Sequence, residues 1–145
     1  MAQVLFFPGY QTPLKRYQAY FPTLKLVTKA NLNEIKVILC HSIGILYALE
    51  YCESHKIQPK IICMDGSYLT PEFIKDKPSE IQAIYDHYFS LNIDSSKYQI
   101  YMFRQIGRKH ESFLYQIIYY SIECNQHYPY MNRKIRNQIV ELLLE

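Results

Sequence analysis

A serine, an aspartate and a histidine each stand just beyond an apolar run. "VILCHSIG" carries Ser42, "KIICMDGS" carries Asp65 and "IIYYSIECNQH" carries His127. A serine hydroxyl is a weak nucleophile alone; it needs a base to take its proton and an acid to orient that base. It also needs donors aimed at the oxyanion that develops on the attacked carbonyl. A tight strand-to-helix turn supplies one donor, because it lifts the serine out of the sheet and places the next N–H at a helix N-terminus. Small residues two before and two after the serine let strand and helix pack closely, and those places hold Cys40 and Gly44. The chemistry these residue types could perform is nucleophilic attack on an acyl carbonyl.

The elements that must position them are readable from pattern. Buried strands are expected at Gln3–Pro8, Lys36–Cys40 and Lys60–Met64, a short strand at Lys25–Lys29, and later strands at Tyr98–Ile106 and Ile117–Glu123. Helices are expected at Pro13–Phe21, with Thr12 as N-cap and Pro13 at the first position, and at Ile43–Ser54. Asn31–Ile35 reads as a turn or stub helix, His110–Gln116 as a short helix and Asn132–Leu144 as a closing amphipathic helix. Residues 69–96 are polar and helical. There Ser79 and Gln82 form a capping-box pattern, and Ile81, Ile84, Tyr85, Tyr88 and Phe89 share one face expected to pack on the core. Strands alternating with helices, apolar on both faces, predict an α/β three-layer sandwich. Its sheet should be mostly parallel, with six strands in the order 2-1-3-4-5-6. Functional groups in such a sheet gather beyond the carboxyl ends of the strands. Ser42, Asp65 and His127 all fall at that edge, as does the loop Pro8-Gly9-Tyr10-Gln11 after the first strand.

Composition narrows the classes. The 145 residues suit a single domain spanning 1–145, and 49% hydrophobic residues argue for a folded core. The net charge of +3 comes from scattered basic residues, which fit solvated faces and give no nucleic-acid module. Cys40, Cys52, Cys63 and Cys124 form no C-x-x-C pair, so neither a metal site nor a redox motif is expected. Neither G-x-G-x-x-G nor a P-loop occurs, which disfavours a nucleotide-binding fold, and no cofactor is expected. No apolar run approaches the roughly 20 residues that span a bilayer. The first residues lack the basic region of a signal peptide, so a reducing, cytoplasmic setting is the expectation.

With the motifs in place, the chain resembles the α/β-hydrolase family. C-H-S-I-G resembles that family's G-x-S-x-G elbow, with Cys40 where glycine is usual. "FFPGYQT" resembles its oxyanion loop, and "QHYPYM" the segment that holds its catalytic histidine. By position the resemblance implies that Tyr10 and Ile43 give the oxyanion N–H groups and that His127 is the base. Most members carry the acid after the strand matching Tyr98–Ile106, where this chain offers only Glu111. A thioesterase-like branch carries it one strand earlier in a D-G-S context, which "CMDGSY" matches at Asp65. Asp65 is therefore the expected acid and Glu111 the alternative. The first two strands usual in the family and its large cap are absent from the pattern, and residues 69–96 occupy the cap position.

The function so implied is hydrolysis of a small-molecule carboxylic ester or thioester by a Ser-His-Asp triad. The rival reading is an inactive hydrolase-fold binding or scaffolding protein, with an exposed sheet edge inviting a homodimer. His110 is the rival base. His55 and His87 are expected at the surface. His41, next to the serine, is expected to pack beside the sheet edge without a part in the chemistry.

Overall fold

The structure is a computed structural model that describes residues 2–66, 74–105, 120–124 and 127–145. In chain order its regular elements are strand β1 (Ala2–Phe7), helix α1 (Leu14–Gln18), β2 (Leu24–Val27) and β3 (Val37–His41). Helix α2 (Gly44–His55), β4 (Lys60–Met64), α3 (Ser79–Ser90), β5 (Ile100–Gln105), β6 (Tyr120–Cys124) and α4 (Arg133–Leu144) follow. The sheet runs β2-β1-β3-β4-β5-β6, and every neighbouring pair is parallel. Parallel neighbours cannot be joined by tight hairpins, so helical crossovers cover the faces and both faces become apolar.

The strand period of two sorts the side chains between two cores. Leu5, Ile38, Cys40, Ile61, Cys63, Ile100 and Met102 face α2 and α3. Val4, Phe6, Leu39, Ile62, Met64 and Phe103 face α1 and α4, where Tyr17, Phe21, Tyr130, Ile139 and Leu143 meet them. One residue further along β3 the same alternation assigns His41 to the α1/α4 side, with Leu39. The register pairs Cys40 with Cys63 and His41 with Met64, so Ser42 and Asp65 leave the sheet at one level.

The stripe of α3 packs on the core as its spacing implies: Tyr85 and Tyr88 are buried, with Ile81, Ile84 and Phe89 packed beside them. Two expected helix starts differ. Pro13, in extended conformation with ψ 147°, is itself the N-cap of α1. The helix thus begins at Leu14, one residue later than a Thr12 cap requires, and Thr12 Oγ1 donates to the Tyr10 carbonyl at 3.1 Å. Pro78 likewise caps α3 at φ −54°, ψ 150° without a side-chain cap. Ser79 is already helical there, and the Gln82 amide donates instead to the carbonyls of Lys75 and Lys77 at 3.2 and 2.6 Å. In both cases proline, with its fixed φ and extended ψ, occupies the half-helical position. Asn132 caps α4 through Oδ1, which accepts from the Ile135 amide at 3.0 Å. The stub at 31–35 is a short 3-10 turn, Leu32–Glu34, capped by Asn31. His110–Gln116 and the first residues expected in the last strand, 117–119, lie outside the described residues.

The tightest joint is where α2 begins. A Cβ built on Gly44 would lie 2.2 Å from the Phe7 carbonyl oxygen and 2.9 Å from that of Pro8. These contacts are backbone, so they cannot rotate away. Gly44→Ala should therefore lower stability by about 3 kcal/mol or more. Urea denaturation followed by circular dichroism measures this; a variant as stable as the wild type would show that the joint is looser than drawn.

Candidate active site

Four loops meet beyond the carboxyl ends of β1, β3, β4 and β6. The β3–α2 corner comes first. Ser42 is half-buried, and its φ of 54° puts a non-glycine residue in the left-handed region. That conformation costs roughly 1 kcal/mol. It lets the chain reverse within one residue, from extended His41 to Ile43 at φ −63°. The Ser42 amide donates to the Met64 carbonyl at 3.0 Å, tying the corner to β4. Buried Ile43 is the N-cap of α2, and among the described residues the corner's backbone hydrogen bonds engage the amides of Ser42, Ile45 and Leu46 and none engages that of Ile43.

The loop after β1 lies against this corner. A Cβ on Gly9 would sit 3.5 Å from the Ser42 Cβ and 3.1 Å from His41 Nδ1, so a larger residue would press on both. The Gly9 amide donates to the Tyr17 hydroxyl at 3.0 Å, and its carbonyl accepts from the Thr12 amide at 3.2 Å. Tyr10 is exposed, and its hydroxyl donates to the Glu80 carboxylate at the start of α3.

Asp65 follows β4 at φ 41°, a region that aspartate tolerates better than most residues. It is 1% exposed, its amide donates to the Phe103 carbonyl, and its carboxylate accepts from His127 Nδ1. Burial in this form makes the carboxylate a partner of the histidine. Because Nδ1 carries the proton toward Asp65, the neutral His127 ring presents Nε2 as an acceptor. The His127 side chain remains 35% exposed. Among the described residues no hydrogen bond joins Ser42 Oγ to His127, whereas His127 and Asp65 are directly paired. Glu111, the alternative acid, and His110, the rival base, lie outside the described residues.

His41 carries more of the site than its sequence position suggests. Its ring is 2% exposed and packs on His127, Tyr128, Tyr130 and Tyr17 at centroid distances of 4.9, 5.5, 5.5 and 5.4 Å. Nδ1 meets the Tyr17 hydroxyl at 2.8 Å and Nε2 meets the His127 carbonyl at 2.9 Å. A carbonyl only accepts, so Nε2 holds the proton and Nδ1 accepts from Tyr17. Burial pushes the imidazole down from 6.5 to about 4, against the opposing pull of the His127 carbonyl. Burial also raises the Tyr17 hydroxyl, which stays a proton donor. The strand alternation that puts His41 on the tyrosine-rich side was the signal in the sequence that could have found this contact.

His55 and His87 are exposed, as expected, and His87 Nε2 meets Glu50 at 2.7 Å. Cys40, Cys52 and Cys63 are buried free thiols. Burial raises Cys52 to about 12 and Cys63 well above its ordinary value, which leaves both protonated and unreactive. Among the described residues no cluster of three or more His, Cys, Asp or Glu could hold a metal ion. No helix among them is long and apolar enough to cross a membrane. Comparison with protein-family models, curated proteins and solved structures finds no match to this chain.

The buried His41 sets an acid response. In the unfolded chain this imidazole takes a proton near pH 6.5, whereas the folded protein holds the proton off until about pH 4. Between those values the unfolded state binds more protons, so stability falls as the pH is lowered through the window. The loss from this residue should reach about 3 kcal/mol. Urea denaturation at intervals from pH 7 to 4 reads it, and His41→Gln should flatten that part of the curve. Equal slopes for the two proteins would show that His41 titrates normally in the fold.

Proposed function

We propose that this protein is a serine hydrolase of the α/β-hydrolase kind that cleaves a carboxylic ester or thioester through an acyl-enzyme. The observation that carries the reading is the pairing of buried Asp65 with His127 Nδ1, one strand from a serine held at φ 54° on a strand-to-helix corner. A buried carboxylate that fixes the tautomer of a partly exposed imidazole leaves a basic nitrogen facing outward, which is what a serine needs beside it.

In this reading Ser42 Oγ attacks the acyl carbonyl as its proton passes to His127 Nε2. Asp65 stabilises the imidazolium that forms. The amides of Tyr10 and Ile43 receive the oxyanion, Ile43 from the start of α2 where the helix dipole adds positive potential. Collapse of the tetrahedral intermediate breaks the bond to the leaving alcohol or thiol, which takes the proton from His127. Water then attacks the acyl-serine with His127 again as base, releasing the acid and restoring the serine. Ser42 and His127 approach within hydrogen-bonding distance when substrate fills the site, since such contacts often tighten only in the loaded enzyme.

A fluorophosphonate probe should add its mass to Ser42 of the wild type and leave Ser42→Ala unmodified. Turnover of short p-nitrophenyl esters should fall by on the order of 10³-fold or more in Ser42→Ala and His127→Ala. A folded wild type that neither labels nor turns over would sink the reading in favour of an inactive binding scaffold.

Asp65→Asn tests the acid separately. The swap keeps the shape but lets the amide donate to His127, turning the ring to the wrong tautomer. Turnover should drop by on the order of 10³-fold with the fold intact. Activity close to that of the wild type would move the acid elsewhere, with Glu111 the first residue to replace.

A further inference from the structure

One unbroken hydrogen-bonded chain crosses the site. The Gly9 amide donates to the Tyr17 hydroxyl at 3.0 Å, and that hydroxyl donates to His41 Nδ1 at 2.8 Å. His41 Nε2–H then donates to the His127 carbonyl at 2.9 Å. Each direction is fixed by the next. The carbonyl must accept, so Nε2 must donate, so Nδ1 must accept and the phenol must donate to it. The phenol oxygen is then free to accept from Gly9. No other arrangement of protons satisfies all three contacts while His41 is neutral.

The chain joins three segments that the proposed chemistry needs in register. Gly9 precedes Tyr10, whose amide is assigned to the oxyanion. His41 immediately precedes Ser42. The carbonyl at the far end belongs to His127 itself. We propose that His41 and Tyr17 are positioning residues that hold the oxyanion loop, the serine corner and the base in one catalytic geometry. The inference rests on the reading of Ser42 as nucleophile and His127 as base. Neither positioning residue hydrogen-bonds a reacting atom: Tyr17 acts through the Gly9 amide and His41, and His41 through the His127 carbonyl and the packing of its ring on that of His127.

The surroundings of the ring keep the chain in its donating form. From α1 the ring faces Tyr17 and, at longer range, Arg16; from the segment before α4 it faces His127, Tyr128 and Tyr130; from β4 it feels Asp65. Asp65 favours a cationic His41, while Arg16 and a charged His127 oppose one. Burial outweighs all of these, and the ring stays neutral until about pH 4. Protonation of His41 would put a hydrogen on Nδ1 and turn it against the Tyr17 hydroxyl proton. The hydroxyl would then have to rotate.

Steady-state kinetics on a p-nitrophenyl ester test the proposal, with the folded fraction of each variant set by circular dichroism. Removing the hydroxyl in Tyr17→Phe should lower kcat about 10-fold with KM nearly unchanged, and His41→Phe about 10²-fold, because small misplacements of a catalytic group carry penalties of that size. His41→Gln keeps an N–H that can reach the His127 carbonyl and should recover about 10-fold of the loss. A purely structural role would lower melting temperature in all three without this ordering in kcat.

Wild-type protein gives a second readout that needs no variant. Long-range ¹H–¹⁵N spectra of the imidazoles should show His41 as the Nε2–H tautomer from pH 7 down to about 5. A His41 found as the Nδ1–H tautomer, or titrating near 6.5, overturns the proposal. So does a kcat within twofold of wild type in folded Tyr17→Phe and His41→Phe, provided turnover still depends on Ser42. Absence of Ser42-dependent turnover in folded wild type overturns the underlying reading instead, and the two failures are thereby told apart.

Discussion

The arrangement depends on how closely α2 can approach the end of β1. Gly44 lies against the Phe7 and Pro8 carbonyls with no room for a Cβ. That contact fixes where the helix starts, two residues after the serine. The chain must therefore turn from extended to helical within Ser42 and Ile43, and the left-handed φ of Ser42 is the consequence. The strain is small beside the apolar burial it permits, since Ile45, Leu46, Ala48, Leu49 and Cys52 of α2 are all buried. Packing of the helix on the sheet thus holds the serine in a conformation it would not choose alone.

A second constraint comes from parity. A strand that buries both faces sends successive residues into different cores, and β3 reaches its end with one residue still to place. Cys40 goes to the α2/α3 side, where a small apolar thiol packs well. His41 goes to the other side, where aromatic residues offer a hydroxyl and a backbone carbonyl. A buried imidazole with both nitrogens bonded escapes the penalty that an unpaired one would incur. The Cys40 thiol sits within the α2/α3 core, where its Sγ donates to the Ile62 carbonyl at 3.7 Å.

Much of the layering was legible because it follows from local pattern. Apolar runs of strand length alternate with helical stripes, and only a parallel sheet covered on both sides buries all of them. The stripe on α3 was legible for the same reason. The helix starts at Pro13 and Pro78 were misjudged. The capping residues Thr12 and Ser79 satisfy a sequence rule, but the prolines beside them are locked at a φ suited to the cap position itself. The Asp65–His127 contact joins residues 62 apart in the chain, and the sequence could place each at a strand end but not turn one side chain toward the other. His41 was the harder residue to read. Packing beside the sheet edge was the expectation and is what its burial shows, but the sequence could not aim its two nitrogens at the Tyr17 hydroxyl and the His127 carbonyl.

The position of Asp65 sets how near the serine corner its partner histidine lies. His41 pairs with Met64, so Ser42 and Asp65 leave adjacent parallel strands at the same height. Adjacent strands lie about 4.8 Å apart, close enough for one imidazole to lie over both loops. An acid after β5 would stand one strand further from Ser42, and the histidine would have to bridge that added distance. In the proposed reading the acid follows β4, and His127, beyond β6, needs only to reach back across β5. The turn at Pro129–Met131 and the Asn132 cap set the direction of that return, and Tyr130 anchors it in the core beside Tyr17. His127 is then fixed twice, at its ring by Asp65 and at its carbonyl by His41. Two points of attachment leave the residue little rotational freedom. In the proposed reading the base is thus held at both its side chain and its backbone, beside a turn whose Pro129 and Tyr130 are buried.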